Sequence, residues 1–346
     1  MKMIKVPTRD QKSIDIPGSD LGDIIQDDMG GQNSLLVRDW LADRNVTLQD
    51  TLKAFGIKNL KATQVDRFLT NTGLRPLFSP VVEDGMRMGM ELVAKNWRDF
   101  IATVVPIDQL SYTYYIFDNS AEENFRLKKI GQGAPIPTAR VTISDQSYTL
   151  YKIGRGIEWT DESKTAPVSL ASMWFQELGR RMGLDYWNVV VETLRDGYFG
   201  ATGSNPDNPP TYGYGATLGW DNLIEAALAL EEDYGYNPNK IICNKNTAVT
   251  ILTMEYGDSS PLFRGIMETG TYPTPIGQEI VISNALDNGQ LLMVDTSAAL
   301  MKLEKDAFST EFDRNPKTQV EGSYGTEISA IVPLFKNARL WITNTG

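Results

Sequence analysis

The sequence contains no histidine among its 346 residues. Histidine is the commonest general base near neutral pH and a frequent zinc ligand. Its absence excludes Ser-His-Asp and Cys-His catalysis and every zinc site that contains histidine. Enzymes that work with carboxylates or lysine alone are still possible, so the enzyme class is disfavoured and not eliminated.

Cysteine and long apolar runs are scarce as well. Cys243 is the one cysteine, which excludes an intrachain disulfide. It follows two isoleucines, which predicts a buried structural thiol. The longest uncharged apolar run, residues 101–107, is too short to span a bilayer, and no apolar signal region follows the basic start. We therefore expect no membrane association and synthesis in the cytoplasm.

The charge balance is acidic. Lysine and arginine number 33 against 44 aspartates and glutamates, which gives a net charge of −11. No stretch gathers cations into a basic stripe, so tight nonspecific binding of nucleic acid is disfavoured. The hydrophobic fraction of 41% is enough for a sizeable core and more than one domain.

Glycine-rich stretches offer no convincing ligand site. Gly213, Gly215 and Gly219 follow a proline-rich loop with the wrong spacing for a dinucleotide turn, so we interpret them as a flexible linker. The GQG at residues 131–133 lacks the lysine of a phosphate loop and predicts a turn. Ser323, in EGSYG, has no histidine to activate it and predicts a bend between strands.

Adjacent carboxylates occur at residues 27–28, 122–123 and 231–232. Neighbouring side chains on a helix or strand point in different directions, so a shared acid–base site is not expected. The sequence therefore predicts no catalytic, metal or cofactor residues.

Residues 1–33 are polar and rich in Gly and Asp, which predicts an arm that needs a partner. Short helices follow, one opening near Ser34, one capped by Thr47 and one ending at Gly73. Another helix is predicted to open at Ser79 and Pro80 and to run through Glu91.

Two strand-like segments, residues 104–117 and 146–160, flank a stretch that has few large apolar side chains. A long two-stranded excursion of this kind cannot bury a face of its own. We interpret it as a β-hairpin arm that docks onto another subunit.

The longest predicted helix covers residues 167–196 and has one broad apolar face. Gly183 inside it predicts a bend or a close contact. Arg180 and Arg181 follow Glu177 by three and four residues. They could pair with Glu177 within the helix or contact another subunit. Residues 216–307 then alternate helices and strands, which indicates a separate α+β unit, and strands fill residues 308–346.

The order of these parts resembles the tailed-phage major capsid family, which has the Hong Kong 97-like fold. Three stretches carry the resemblance. IGQGAPIPTARVTISDQSYTLYKIGRGIEWTDES is similar to the family's extended loop and the strand that returns from it towards the spine helix. The long helix ending MGLDYWNVVVETLRDG is similar to the spine helix, and the segment from GWDNLIEAALALEEDYGYNPNKIICN through TPIGQEIVISNAL is similar to the axial domain. The similarity extends over roughly residues 78–345.

The resemblance implies an α+β protomer with six parts. They are an N-terminal arm with short helices (1–77), a first peripheral part (78–117), an extended loop (118–151), a second peripheral part with the spine helix (152–215), an axial domain (216–307) and return strands of both domains (308–346).

It also implies a structural protein of the virion, made in the host cytoplasm, that assembles with itself into hexamers and pentamers of an icosahedral shell around double-stranded DNA. Portal, scaffolding and decoration proteins are possible further partners, and no sequence-specific DNA binding or cofactor is implied. The expected intersubunit contacts are Phe125, Arg126, Leu127, Lys128, Lys129, Ile130, Arg180 and Arg181.

Some relatives crosslink a loop lysine to an asparagine, but no partner for Lys128 or Lys129 can be located here. Others remove an N-terminal scaffolding segment, a part that residues 34–76 could play. Two alternatives stay open: an encapsulin-type compartment that encloses cargo enzymes, and a carboxylate-dependent hydrolase with paired Asp or Glu residues in a cleft.

Overall fold

The computed structural model describes residues 3–7, 13–17, 34–59, 63–70, 74–93, 97–117, 129–130, 141–160, 167–198, 207–215, 217–254, 277–315 and 320–344. Within these ranges the helices are α1 (Ser34–Asp43), α2 (Leu48–Ala54), α3 (Val65–Thr70), α4 (Arg75–Glu91), α5 (Val168–Asp196), α6 (Trp220–Glu232) and α7 (Lys245–Thr253).

The strands are β1 (Met3–Pro7), β2 (Ser13–Pro17), β3 (Ile101–Pro106), β4 (Ser111–Phe117), β5 (Val141–Thr149), β6 (Tyr151–Thr160), β7 (Thr211–Tyr214), β8 (Lys240–Cys243), β9 (Glu279–Ile282), β10 (Leu291–Val294), β11 (Leu300–Asn315), β12 (Val320–Pro333) and β13 (Arg339–Asn344). The predicted long helix is confirmed as α5. It ends at Gly197, whose φ of 81° is left-handed and suits glycine.

A four-stranded sheet in the order β3-β11-β12-β6 is built around the long antiparallel pair β11 and β12. Its inner face carries apolar side chains, such as Phe308 and Phe312, that join the main core with α4 and α5. The Phe78 ring of α4 meets the rings of Phe175 and Phe312 edge-on at 6.2 and 6.4 Å. Aromatic contacts of this kind stabilise the layer of helices on the sheet.

Helices α4 and α5 lie side by side at unusually short range. A Cβ at Gly89 of α4 would overlap the carbonyl oxygen of Gln176, and one at Gly179 of α5 would overlap that of Met86. A Cβ at Gly183 would lie 2.7 Å from Val93 Cγ2. The close contact predicted at Gly183 is therefore confirmed, and glycines on both helices let the backbones touch.

A five-stranded sheet in the order β7-β13-β10-β8-β9 forms the second unit. Alternate residues of β8 face opposite sides: Ile241 and Cys243 pack beneath α6 and α7, and Ile242 faces the main core with Val190 and Leu194 of α5. Helix α5 thus packs against both sheets and joins the two units.

The N-terminal helices belong to the main core. Val37 of α1 and Phe68 of α3 are fully buried there, and the Ser34 hydroxyl accepts a 2.9 Å hydrogen bond from the Thr310 amide of β11. Arg38 of α1 forms an ion pair at 3.2 Å with Glu83, a fully buried carboxylate of α4. Residues 34–70 therefore contribute to the core of the protomer.

Several predicted boundaries were wrong. Helix α4 begins at Arg75, not at Ser79, and contains Pro80, because burial of Leu74 and Leu77 favours helix ahead of that proline. Residues 104–117 and 146–160 are not single strands, since each divides between the four-stranded sheet and the β4-β5 pair.

Two local interpretations also need correction. The predicted bend at Ser323 lies inside the continuous strand β12, where the residues pair with β6 and β11. The predicted linker around Gly213 contains β7, which pairs with β13 in parallel. The expected boundary between the axial domain and the return strands, at residues 307 and 308, falls inside strand β11. Strand β7, expected in the second peripheral part, belongs to the five-stranded sheet. No helix among the described residues is both long and apolar enough to cross a membrane.

Candidate assembly surfaces

The hairpin arm has a well-defined base. Strands β4 and β5 pair antiparallel from Ser111 opposite Thr149 to Phe117 opposite Val141, with one register shift. The strand character predicted for the flanks of the arm is therefore confirmed. The arm itself, residues 118–140, lies outside the described residues apart from Lys129 and Ile130, which are exposed. Phe125, Arg126, Leu127 and Lys128 fall outside them.

Tyrosines anchor this base to the sheet. Tyr148 is buried in a satellite core with Leu303 and Val332, and its hydroxyl donates a 2.7 Å hydrogen bond to Asp207. The Tyr198 ring stacks on Tyr148 at 5.6 Å. The segment that follows Phe117 thus starts from a fixed position on the protomer.

Arg180 and Arg181 both pair with Glu177. Arg180 donates two hydrogen bonds, at 2.8 and 2.9 Å, and Arg181 donates one at 3.0 Å. These bonds, first those from Arg180, lower the pKa of Glu177 to about 2. The intrahelical pair is confirmed. Because both arginines are also exposed, the intersubunit contact predicted for them stays a prediction.

A cleft of about 320 Å³ lies between α5, β3 and β11 and holds two carboxylates. Lys302 Nζ lies 2.8 Å from Glu304 Oε2 and 2.5 Å from Glu327 Oε1. Tyr186 donates a 2.5 Å hydrogen bond to Glu327, and burial raises the pKa of Tyr186. One lysine therefore pairs with both carboxylates, and the arrangement is a structural ion network.

Other candidate reactive groups are enclosed. Cys243 is fully buried, as predicted, and burial raises its pKa to about 12. Ser323 is fully buried inside β12. Across the described ranges, no group of three or more Cys, Asp or Glu side chains could hold a metal ion.

Arg339 is a buried cation that sequence reasoning missed. Its Nη1 donates to the carbonyl oxygens of Thr193, at 2.6 Å, and Leu194, at 3.3 Å, and its Nη2 donates to that of Asp207. Desolvation lowers its pKa to about 10. The guanidinium thus caps the C-terminus of α5 from β13 and ties the second unit to the long helix. Only the tertiary fold brings these groups together.

A family model described as phage capsid protein matches residues 143–331. The chain belongs to this family. The match includes α5 and strands of both large sheets, and it identifies the chain as a capsid shell protein.

Solved structures with the same architecture support the assignment of the fold. The capsid of a native GTA particle aligns with a TM-score of 0.53 at 11% identity, over 73% of this chain and 92% of that one. A virus-like particle from Pyrococcus furiosus aligns with a TM-score of 0.50 at 11% identity, over 77% and 99%. A structure from Mycobacterium phage Bobi aligns with a TM-score of 0.50 at 13% identity, over 74% of this chain and 94% of that one. The capsid protein therefore has the Hong Kong 97-like fold. No curated protein sequence matches the chain.

Proposed function

We propose that this capsid protein assembles with copies of itself, through hexamers and pentamers, into a closed icosahedral shell that encloses double-stranded DNA in the virion. The observation that carries the proposal is the family match over residues 143–331. We assign the four-stranded sheet with α4 and α5 to a peripheral domain, and the five-stranded sheet with α6 and α7 to an axial domain.

Exposed apolar side chains support assembly. Met173 and Trp174, in the first turns of α5, are 64% and 40% exposed, and Leu92 after α4 is 67% exposed. Adjacent exposed apolar groups, here Met173 and Trp174, are a feature of surfaces that contact other proteins. We expect these residues, the arm at residues 118–140 and the polar N-terminal segment to contact neighbouring protomers.

The net negative charge of the chain bears on how the proposed shell would hold DNA. A net charge of −11 and the lack of a basic stripe favour a shell that confines DNA without gripping it and without reading its sequence. Portal, scaffolding and decoration proteins remain possible partners, and the function requires no cofactor. The buried ion network of Lys302 gives no support to the hydrolase alternative, so we place the chain among shell proteins and not among enzymes.

An encapsulin-type compartment is the second candidate, because a shell of this fold need not be a phage capsid: the fold also occurs in a virus-like particle from Pyrococcus furiosus. The two functions differ in contents. Particles purified from the native source would contain DNA if they are phage capsids, and protein cargo if they are encapsulin-type compartments.

Negative-stain electron microscopy of the purified chain tests assembly directly, and we expect closed particles. Replacing residues 118–140 by a short Gly/Ser turn leaves the anchored β4-β5 base in place. We expect this variant to keep native circular dichroism and to form no closed particles. Normal shells from it would contradict a role of the arm in assembly, and a chain that forms no particles at all would contradict the proposed function.

A further inference from the structure

Three parts of the protomer that are distant in sequence meet at Asp207. The base of the arm reaches it through Tyr148 of β5, whose hydroxyl donates a 2.7 Å hydrogen bond to the Asp207 carboxylate. The five-stranded sheet reaches it through Arg339 of β13, whose Nη2 donates to the Asp207 carbonyl oxygen. The end of α5 reaches it through Gly197, where a Cβ would lie 2.7 Å from the Asp207 carbonyl carbon. This meeting point is called the Asp207 junction below.

Different groups of Asp207 take part in these contacts. Tyr148 holds its side chain and Arg339 holds its main chain, and all three residues are buried. Buried donors and acceptors are costly to leave without a partner, so a shift of Asp207 is resisted from both sides. The close approach to Gly197 leaves no room for a shift towards α5. The junction therefore holds Asp207 in one position.

The main chain that leaves Asp207 is stiff. Pro209 and Pro210 lie between Asp207 and β7, and proline fixes φ. The Pro210 carbonyl oxygen accepts a 2.9 Å hydrogen bond from the Trp341 amide of β13. Strands β7 and β13 lie next to each other at one edge of the five-stranded sheet. Asp207 is thus joined to this edge twice, by the main chain to β7 and by Arg339 to β13.

The base of the arm is held at two points. Tyr148 lies in β5, the strand that returns from the arm, and its hydroxyl bonds Asp207. Tyr198 stacks on the Tyr148 ring and donates a 2.9 Å hydrogen bond to the Thr149 carbonyl oxygen. The first hydroxyl joins the base to the Asp207 junction, whereas the second holds the base through β5 itself. This difference allows the two roles to be separated.

We propose that the Asp207 junction couples the base of the arm to the five-stranded sheet, so that a change in the position of one is passed to the other. Because coupling between two sites is reciprocal, loosening either end should loosen the other. The inference rests on the proposed shell function for its consequence. In a shell, docking of the arm on a neighbour also restrains the five-stranded sheet of the protomer that contributes the arm.

Amide hydrogen exchange of the purified protein, followed by mass spectrometry, tests the coupling. Tyr148→Phe keeps the ring and removes the hydroxyl that bonds Asp207. We expect exchange to become roughly fivefold faster in peptides from β7 and β13 and to stay unchanged in α2, because exchange reports local opening. Tyr198→Phe is the matched control. It removes the hydroxyl that bonds Thr149 and should leave exchange in β7 and β13 as in the wild type.

Arg339→Lys gives the reciprocal test, since lysine keeps the charge but lacks the planar fork that bonds several carbonyl oxygens at once. We expect faster exchange in β5. Unchanged exchange of β7 and β13 in Tyr148→Phe, an equal rise in α2, or the same remote effect from Tyr198→Phe would overturn the proposal. If Arg339→Lys does not fold, the two tyrosine variants decide by themselves. The measurement needs no closed particle, so its failure is distinct from that of the proposed function, which fails if the wild type forms no shells.

Discussion

Gly179 is the position where a single methyl group should weaken the fold most clearly. Inside a helix, alanine is ordinarily more stable than glycine by about 1 kcal/mol. At Gly179 of α5, however, a Cβ would overlap the Met86 carbonyl oxygen of α4, and backbone atoms cannot rotate away. We expect Gly179→Ala to force the two helices apart and to lower the free energy of unfolding by about 1–3 kcal/mol, as in other overpacked cores.

Urea unfolding followed by tryptophan fluorescence measures this loss, because Trp187 of the same helix is buried in the main core. Asn188→Ala is the matched control, since Asn188 is exposed on α5 and alanine there gains helix propensity alone. Gly89→Ala should behave like Gly179→Ala, because its Cβ would overlap the Gln176 carbonyl oxygen. If Gly179→Ala is as stable as the control, the close packing of α4 and α5 is refuted.

Three further outcomes follow from buried groups. Arg339→Met should lower the free energy of unfolding by about 2–4 kcal/mol, because it leaves buried carbonyl oxygens of α5 without a donor; an unchanged urea midpoint would contradict the cap. Cys243 should react with a thiol reagent only after unfolding. Since its folded pKa is raised to about 12, its burial favours folding below about pH 9 and loses that effect as pH rises towards 12; rapid labelling of the folded protein would contradict this. Deleting residues 1–33 should leave circular dichroism native, whereas deleting 1–57 should abolish cooperative unfolding, because it removes buried side chains of α1 and α2; equal stability of the two truncations would refute the core role.

Elements whose ends are encoded within a few residues were predictable. The Thr47 hydroxyl accepts the Asp50 amide at 3.1 Å at the start of α2, as its capping position predicted. Apolar residues recur at helical spacing along α5, and a glycine follows its last residue. Both depend on contacts inside the segment, so sequence periodicity and capping chemistry were sufficient.

Features that depend on distant partners were not predictable. Residues 104–117 were predicted as one strand-like segment, yet β3 pairs with β11 and β4 pairs with β5. Which strand lies beside which is decided by tertiary packing and not by β propensity. The Arg339 cap joins groups more than a hundred residues apart.

The protomer separates the interactions that fold it from those proposed to assemble it. Helix α5 packs against α4 and both sheets, so its burial stabilises the body without help from a neighbour. The arm, in contrast, has few large apolar side chains, and ordering it costs roughly 1–2 kcal/mol per residue in backbone entropy. We propose that contacts with a neighbouring protomer offset that cost. Substitutions between α4 and α5 should therefore change unfolding, and substitutions in the arm at residues 118–140 should change assembly alone.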